Sequence, residues 1–276
     1  METRAQLEAE LVRIQEWERE QKDLWFWEKL GRLPFLLLDR ITPKFVQEKI
    51  GLALNELGSY VQTGGQYLIS ERSILDKLKQ ESDADPSAPI TMAQAAGLPL
   101  AVMDRVADDL SGTRSRLAAV QGATTGIGGI FTLAIDIPAL LGMSLKVLQE
   151  IALCYGYDPK EKQERIFVVK CLQFASSDIV GKRAVLEDLD AFTEAAGRQQ
   201  VVSQLQGWRE VIMTYRDNFG WKKLFQLVPI AGILFGAMIN KGTVQDVAEA
   251  GKMLYRKRRI RERMAQLDAQ SNGAAK

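Results

Sequence analysis

Residues 117–135 read LAAVQGATTGIGGIFTLAI, nineteen positions without a charge and with glycines at 122, 126, 128 and 129. The run is too long and too poorly alternating for a strand. As a helix it sets Gly122 and Gly126 on one face, where the missing β-carbons let a second helix come close. Each glycine costs an exposed helix about 0.8–1.0 kcal/mol relative to alanine, so the segment predicts close packing that offsets the loss. A helical bundle interior and a lipid bilayer both supply it, and nineteen residues is near the length that spans hydrocarbon. A second run, LFQLVPIAGILFGAMIN over residues 224–240, is uncharged for seventeen positions and sets Gly232 and Gly236 at the same spacing. It closes on Asn240-Lys241-Gly242, a pattern that predicts a helix stop. The two runs read either as buried or partly inserted helices of a bundle, or as spans.

Outward from these runs the pattern stays helical. Leu7, Leu11, Ile14 and Trp17 recur at spacings of three and four, which predicts an amphipathic helix reaching to about Gly31. Thr42-Pro43 gives a capped start for the next, and a third follows Gly64-Gly65. Residues 81–89, ESDADPSAP, are polar and hold two prolines, so they predict a linker. It divides N-terminal amphipathic helices over residues 1–80 from a helical core over 90–265, with residues 266–276 expected as a disordered tail, the whole forming one structural domain. Thr91 is placed to cap a helix, and Pro99 to kink or stop it. Glycines at 156, 181, 197, 207, 220 and 242 break the later pattern. The expected fold class is all-α, a multi-helix bundle with glycine-rich apolar central helices.

Composition narrows the chemistry. The chain has 276 residues, 46% of them hydrophobic, a formal net charge of +1 and no histidine. Without imidazole there is no Ser-His-Asp or Cys-His nucleophile and no histidine-ligated metal. Cys154 and Cys171 lie in apolar surroundings and read as buried free thiols. The opening Met1-Glu2-Thr3-Arg4 lacks the basic and apolar regions of a secretory signal, which predicts a cytoplasmic location.

The neutral total hides a segregation. Lys252, Arg256, Lys257, Arg258, Arg259, Arg261 and Arg263 stand against Glu262 alone, a local +6 that leaves −5 for the rest of the chain. Such a cluster near an apolar run is the pattern anionic head groups attract, so these seven are candidate lipid contacts. A solvated helix end explains them equally, and nucleic acid is not expected, because the aromatics that stack bases are absent apart from Tyr255. Trp25-Phe26-Trp27 with Trp17 suits either a membrane interface or a helix seam.

Asp136, closing the first apolar run ahead of Pro138, reads as the cap of a new helix, or else as a functional ionisable group. With Glu150 it forms a candidate functional acidic pair, but fourteen residues of helix set the two about 21 Å apart, too far to chelate one ion. No metal and no cofactor are expected. Lys146 and Glu150 are spaced as an i,i+4 ion pair. Tyr155-Gly156-Tyr157 predicts a helix end with glycine left-handed, and Asp158-Pro159-Lys160-Glu161 a capping box that restarts the chain.

Gly126-Ile127-Gly128-Gly129 through Asp136-Ile137-Pro138, then Gln149-Glu150-Ile151-Ala152 and Tyr155-Gly156-Tyr157-Asp158-Pro159, resemble the EcsC family. Pro229-Ile230-Ala231-Gly232 to Ile239-Asn240, followed by Tyr255-Arg256-Lys257-Arg258, is similar to that family's C-terminal signature. The resemblance covers about residues 20–265. The family takes its name from a bacterial operon that also encodes an ABC transporter, so the resemblance implies a membrane surface or a membrane protein of that kind as partner. It implies no catalytic residues. The functional expectation is a cytoplasmic accessory protein, peripheral on the inner face of the cell membrane and non-enzymatic. The alternatives are a carboxylate-dependent helical enzyme and a soluble interaction scaffold.

Overall fold

The computed structural model describes residues 2–21, 60, 69–82, 89–126, 130–177, 179–193 and 229–274. Among them the regular structure is entirely helical: α1 (Arg4–Glu20), α2 (Glu71–Gln80), α3 (Met92–Ala96), α4 (Leu100–Gly126), α5 (Ile130–Cys154), α6 (Lys162–Ser176), α7 (Ile179–Thr193) and α8 (Pro229–Ala274). The helices expected after Thr42 and Gly64, Trp25 to Trp27, and the linker apart from its ends lie outside the described residues.

Local chemistry starts these helices where the side chains can satisfy free amides. Thr3 and Gln6 form a reciprocal capping box on α1, Ser70 caps α2, and Thr91 with Gln94 repeats the box on α3. Pro99 stops rather than kinks: α3 ends at Ala96 with Gly97 as its C-cap, and the Pro99 carbonyl accepts from the amides of Val102 and Met103 as α4 begins.

Helix α8 is the spine. It packs against α4, α5, α6 and α1, while α2 sits on α4 and α5, and α7 on α6. Leu7 and Ile14 of α1, Ile74 and Leu78 of α2, and residues of α4 to α8 share one buried cluster. Phe167 anchors its aromatic part, 4.6 Å from Tyr255 and 5.5 Å from Phe192 between ring centroids. Trp17 is inside this packing, 5.5 Å from Phe174, and its indole N–H donates to Glu249 at 2.7 Å.

The structure departs from the sequence reading at four elements. Asp136 does not stand at a helix start, since α5 begins at Ile130 and runs through Pro138 without a break. Asn240-Lys241-Gly242 does not stop α8, and Gly181 lies within α7. Residues 266–274 are not a disordered tail but the last turns of α8, where Leu267 packs on the core and Asp268 pairs with Arg4. Glu161, not Asp158, is the N-cap of α6; the Asp158 carboxylate instead accepts from the Lys160 amide at 2.9 Å, closing the turn.

Candidate functional site

Two ends of the bundle differ in chemistry, and the register of α8 fixes which residues belong to each. Lys252 meets Asp108 and Arg256 meets Asp104, while Arg263 reaches the carbonyls of Ala96 and Leu98. Helix α8 is therefore antiparallel to α4. Tyr155 bonds Asp104 and Arg114 bonds Glu150, so α5 is antiparallel to α4 as well. Gly251 faces Leu148 and Ile151, which sets α8 alongside α5 in the same direction.

At the charged end the seven cations from Lys252 to Arg263 all have partners. Lys257 donates to Glu18 at 2.6 Å and Asp190 at 2.7 Å, and Arg261 shares Asp190 at 2.8 Å. Arg256 joins Glu10 at 2.8 Å and Asp104 at 3.0 Å, and Lys252 joins Asp108 at 2.7 Å. Arg263 binds Glu2 at 2.5 Å. Glu2 is partly buried, which pushes its carboxyl up, but the Leu100 amide and Arg263 outweigh this and hold it below its ordinary value. The charge that is segregated along the sequence is matched in space, because the −5 remainder supplies the carboxylates. All seven are engaged by carboxylates, which range from the buried Glu18 and Glu164 to the exposed Asp108 and Asp190.

Arg258 and Arg259 tie this end to the Tyr155-Gly156-Tyr157 turn. Gly156 is left-handed at φ 77°. The amides of Gly156 and Tyr157 return to the carbonyls of Leu153 and Ala152 at 3.0 and 2.9 Å, the paired bonds of a Schellman motif. Arg259 donates to the Tyr155 carbonyl at 2.9 and 2.5 Å. The Tyr157 ring lies between guanidiniums, 4.1 Å from Arg258 and 4.2 Å from Arg259. Arg258 forms a two-pronged pair with Glu164 at 2.7 and 2.8 Å. Burial works against its charge, yet Glu164 outweighs burial and holds the guanidinium above its ordinary value. The two stretches that carry the family resemblance here, residues 155–159 and 255–258, thus contact each other.

Of the acidic pair, Glu150 is buried and gripped at both oxygens by Arg114, at 2.7 and 2.5 Å, rather than pairing with Lys146 at the surface. Asp136 lies fourteen residues away on the same helix, about 21 Å along it; its side chain is outside the described residues. The two do not converge. Among the described residues no three or more of His, Cys, Asp and Glu are grouped to hold a metal ion. Cys154 and Cys171 are free and buried, and burial pushes both thiols above their ordinary range.

The other end is nearly free of charge, with Asp136 of α5 the one ionisable residue in the described stretches that form it. Gly122 is buried within α4, Gly126 is its last residue, and Gly232 and Gly236 lie in the first turns of α8; Gly128 and Gly129 are outside the described residues. Extending the α8 register toward its start sets Met238 level with Gly122 on α4 and with the Asp136 turn of α5. The uncharged stretches of α4 and α8 and the apolar α5 stretch that holds Asp136 therefore converge on one end. The outer faces of α4 and α8 here are not covered by the described chain: Leu117 is 49%, Val120 62% and Met238 68% exposed. No described helix is long and apolar enough to cross a membrane. Sequence reasoning found these stretches but not their convergence; it read Lys146 as a partner of Glu150 and Lys241 as part of a helix stop, and did not group them with Arg116 as the first basic residue reached on each of the three helices.

The sequence profile of the EcsC protein family matches residues 8–260. The "Uncharacterized protein YdbA" of Bacillus subtilis (strain 168) is 53% identical over 267 residues, covering 97% of each chain. "Protein EcsC" of the same organism is 31% identical over 147 residues, covering 53% of this chain and 59% of its own. No solved structure gives a significant match.

Proposed function

We propose that this chain, which belongs to the EcsC protein family, is a non-enzymatic accessory protein that seats its uncharged end in one leaflet of the cytoplasmic membrane and there serves a membrane protein. The observation that carries the reading is the convergence on one end of three apolar helical stretches, whose one charge is Asp136 of α5, with Leu117 and Val120 of α4 and Met238 of α8 exposed. Their length fits shallow insertion. From Arg116 to Gly126 is about 15 Å of helix and from Lys241 to Pro229 about 18 Å, against a hydrocarbon core of about 30 Å. That depth is one leaflet, which suits a protein that lies in the membrane surface without crossing it.

An ABC transporter is the partner the family resemblance suggests, and it enters as part of the same proposal. A carboxylate enzyme draws no support from the geometry, since both oxygens of Glu150 are occupied by Arg114.

Fractionation of the native protein tests the reading. Recovery with the membranes, retained through a high-salt wash, is expected of apolar insertion, because salt screens head-group attraction but not hydrophobic burial. Recovery wholly in the supernatant would overturn it in favour of a soluble scaffold. Quantitative release by salt would overturn the insertion.

A further inference from the structure

We infer that Arg116 and Lys241, with Lys146 of α5 near the level of Arg116, form a basic collar under the apolar end that selects an anionic lipid surface; the inference rests on the leaflet-insertion reading above. On α4 the stretch from Leu117 to Gly126 is uncharged and the residue before it is Arg116; on α8 the stretch from Pro229 to Asn240 is uncharged and the residue after it is Lys241. On α5, Asp136 is the one charge before Lys146.

The register makes the first two neighbours in height. Matching Lys252 to Asp108 and Arg256 to Asp104 brings Lys241 level with residue 119, within one turn of Arg116. Both are exposed, and unlike the seven cations of residues 252–263, neither they nor Lys146 has an ion-pair partner among the described residues. Leu117, Val120 and Met238 stand exposed directly above. An apolar cap about one leaflet deep over unpaired cations with long apolar stems matches the layering of hydrocarbon and phosphate, since such stems run along the apolar layer and deliver the charge to the head groups. A protein groove offers no such layering, so the occupant is a bilayer with anionic lipid. The cations that attract it are not the clustered ones, whose carboxylates already neutralise them.

Flotation of the full-length protein with phosphatidylcholine vesicles, with and without phosphatidylglycerol, tests this. The wild type is expected to bind the anionic vesicles more tightly than the neutral ones. Arg116→Gln with Lys241→Gln is expected to weaken anionic binding about thirtyfold, from about 1 kcal/mol per basic residue, and to leave neutral binding as it was. Val120→Asp with Met238→Asp is expected to abolish both, and Arg261→Gln, paired to Asp190, to change neither; all these positions except Arg261 are at exposed sites, and unchanged thermal melts verify folding. Equal binding to both vesicles, or a double Gln variant that binds like wild type, would overturn the collar while leaving insertion standing. Wild type that floats with neither vesicle would overturn insertion as well.

Discussion

Gly156 is the position where one added β-carbon does most harm. Its φ of 77° is in the left-handed region, and a β-carbon there would lie 2.5 Å from the Ala96 backbone, so neither a rotamer change nor a small shift relieves it. Gly156→Ala is expected to cost at least about 2 kcal/mol from conformation and contact together. Gly242 is the counterexample. It sits within α8 with nothing in reach of an added β-carbon, so Gly242→Ala is expected to stabilise by about 0.5–1 kcal/mol. Chemical denaturation of both variants checks the contrast; a neutral Gly156→Ala would refute the close packing of the turn on α3. The turn was legible from Tyr155-Gly156-Tyr157 because a Schellman end is made by adjacent residues. The tolerance at Gly242 was not, because it depends on neighbours supplied by other helices.

At the scale of an element, α8 explains most of what the sequence concealed. Its 46 residues hold a pattern that reads as a stop at Asn240, yet Asn240 is fully buried and the helix continues. Packing against α4 and α5 over its length outweighs the local preference for an end. Its basic stretch reads as a surface for the same reason: the acids that answer it, Glu18, Asp104, Glu164 and Asp190, come from four other helices and leave no trace in the local sequence. The helix starts at Thr3 and Thr91 were legible because a cap and its amides lie three residues apart.

The buried pair of Arg258 and Glu164 gives this element a sharp test. Glu164→Gln removes the two-pronged partner of a buried guanidinium, leaving it only Glu262 at 3.3 Å, and is expected to destabilise by about 3 kcal/mol. Combining Glu164→Leu with Arg258→Met removes both charges and is expected to restore most of that loss. Thermal melts of the single and double variants measure it. A double variant as unstable as the single would mean that Arg258 acts chiefly through the rings of Tyr157, Phe167 and Phe192, which it overlies at 4.1, 5.1 and 5.8 Å.

For the whole molecule the charge pattern takes on a direction. Paired charge fills the end where the Tyr155 turn meets Arg258 and Arg259, and the opposite end carries almost none. All-helical architecture was legible from periodicity, and the uncharged stretches from composition. Their convergence required the antiparallel register of α4 with α5 and α8, which only the long-range pairs reveal. The central claim is that the uncharged end enters a leaflet and the charged end does not. A fluorophore on Met238→Cys measures this directly, and selective attachment follows from the burial of Cys154 and Cys171, whose thiols are held protonated. With vesicles carrying quenchers at set depths along the acyl chains, the label at 238 is predicted to be quenched from within the hydrocarbon, and the same label on Arg261→Cys to remain in water. A label at 238 that stays in water in the presence of anionic vesicles would contradict the account.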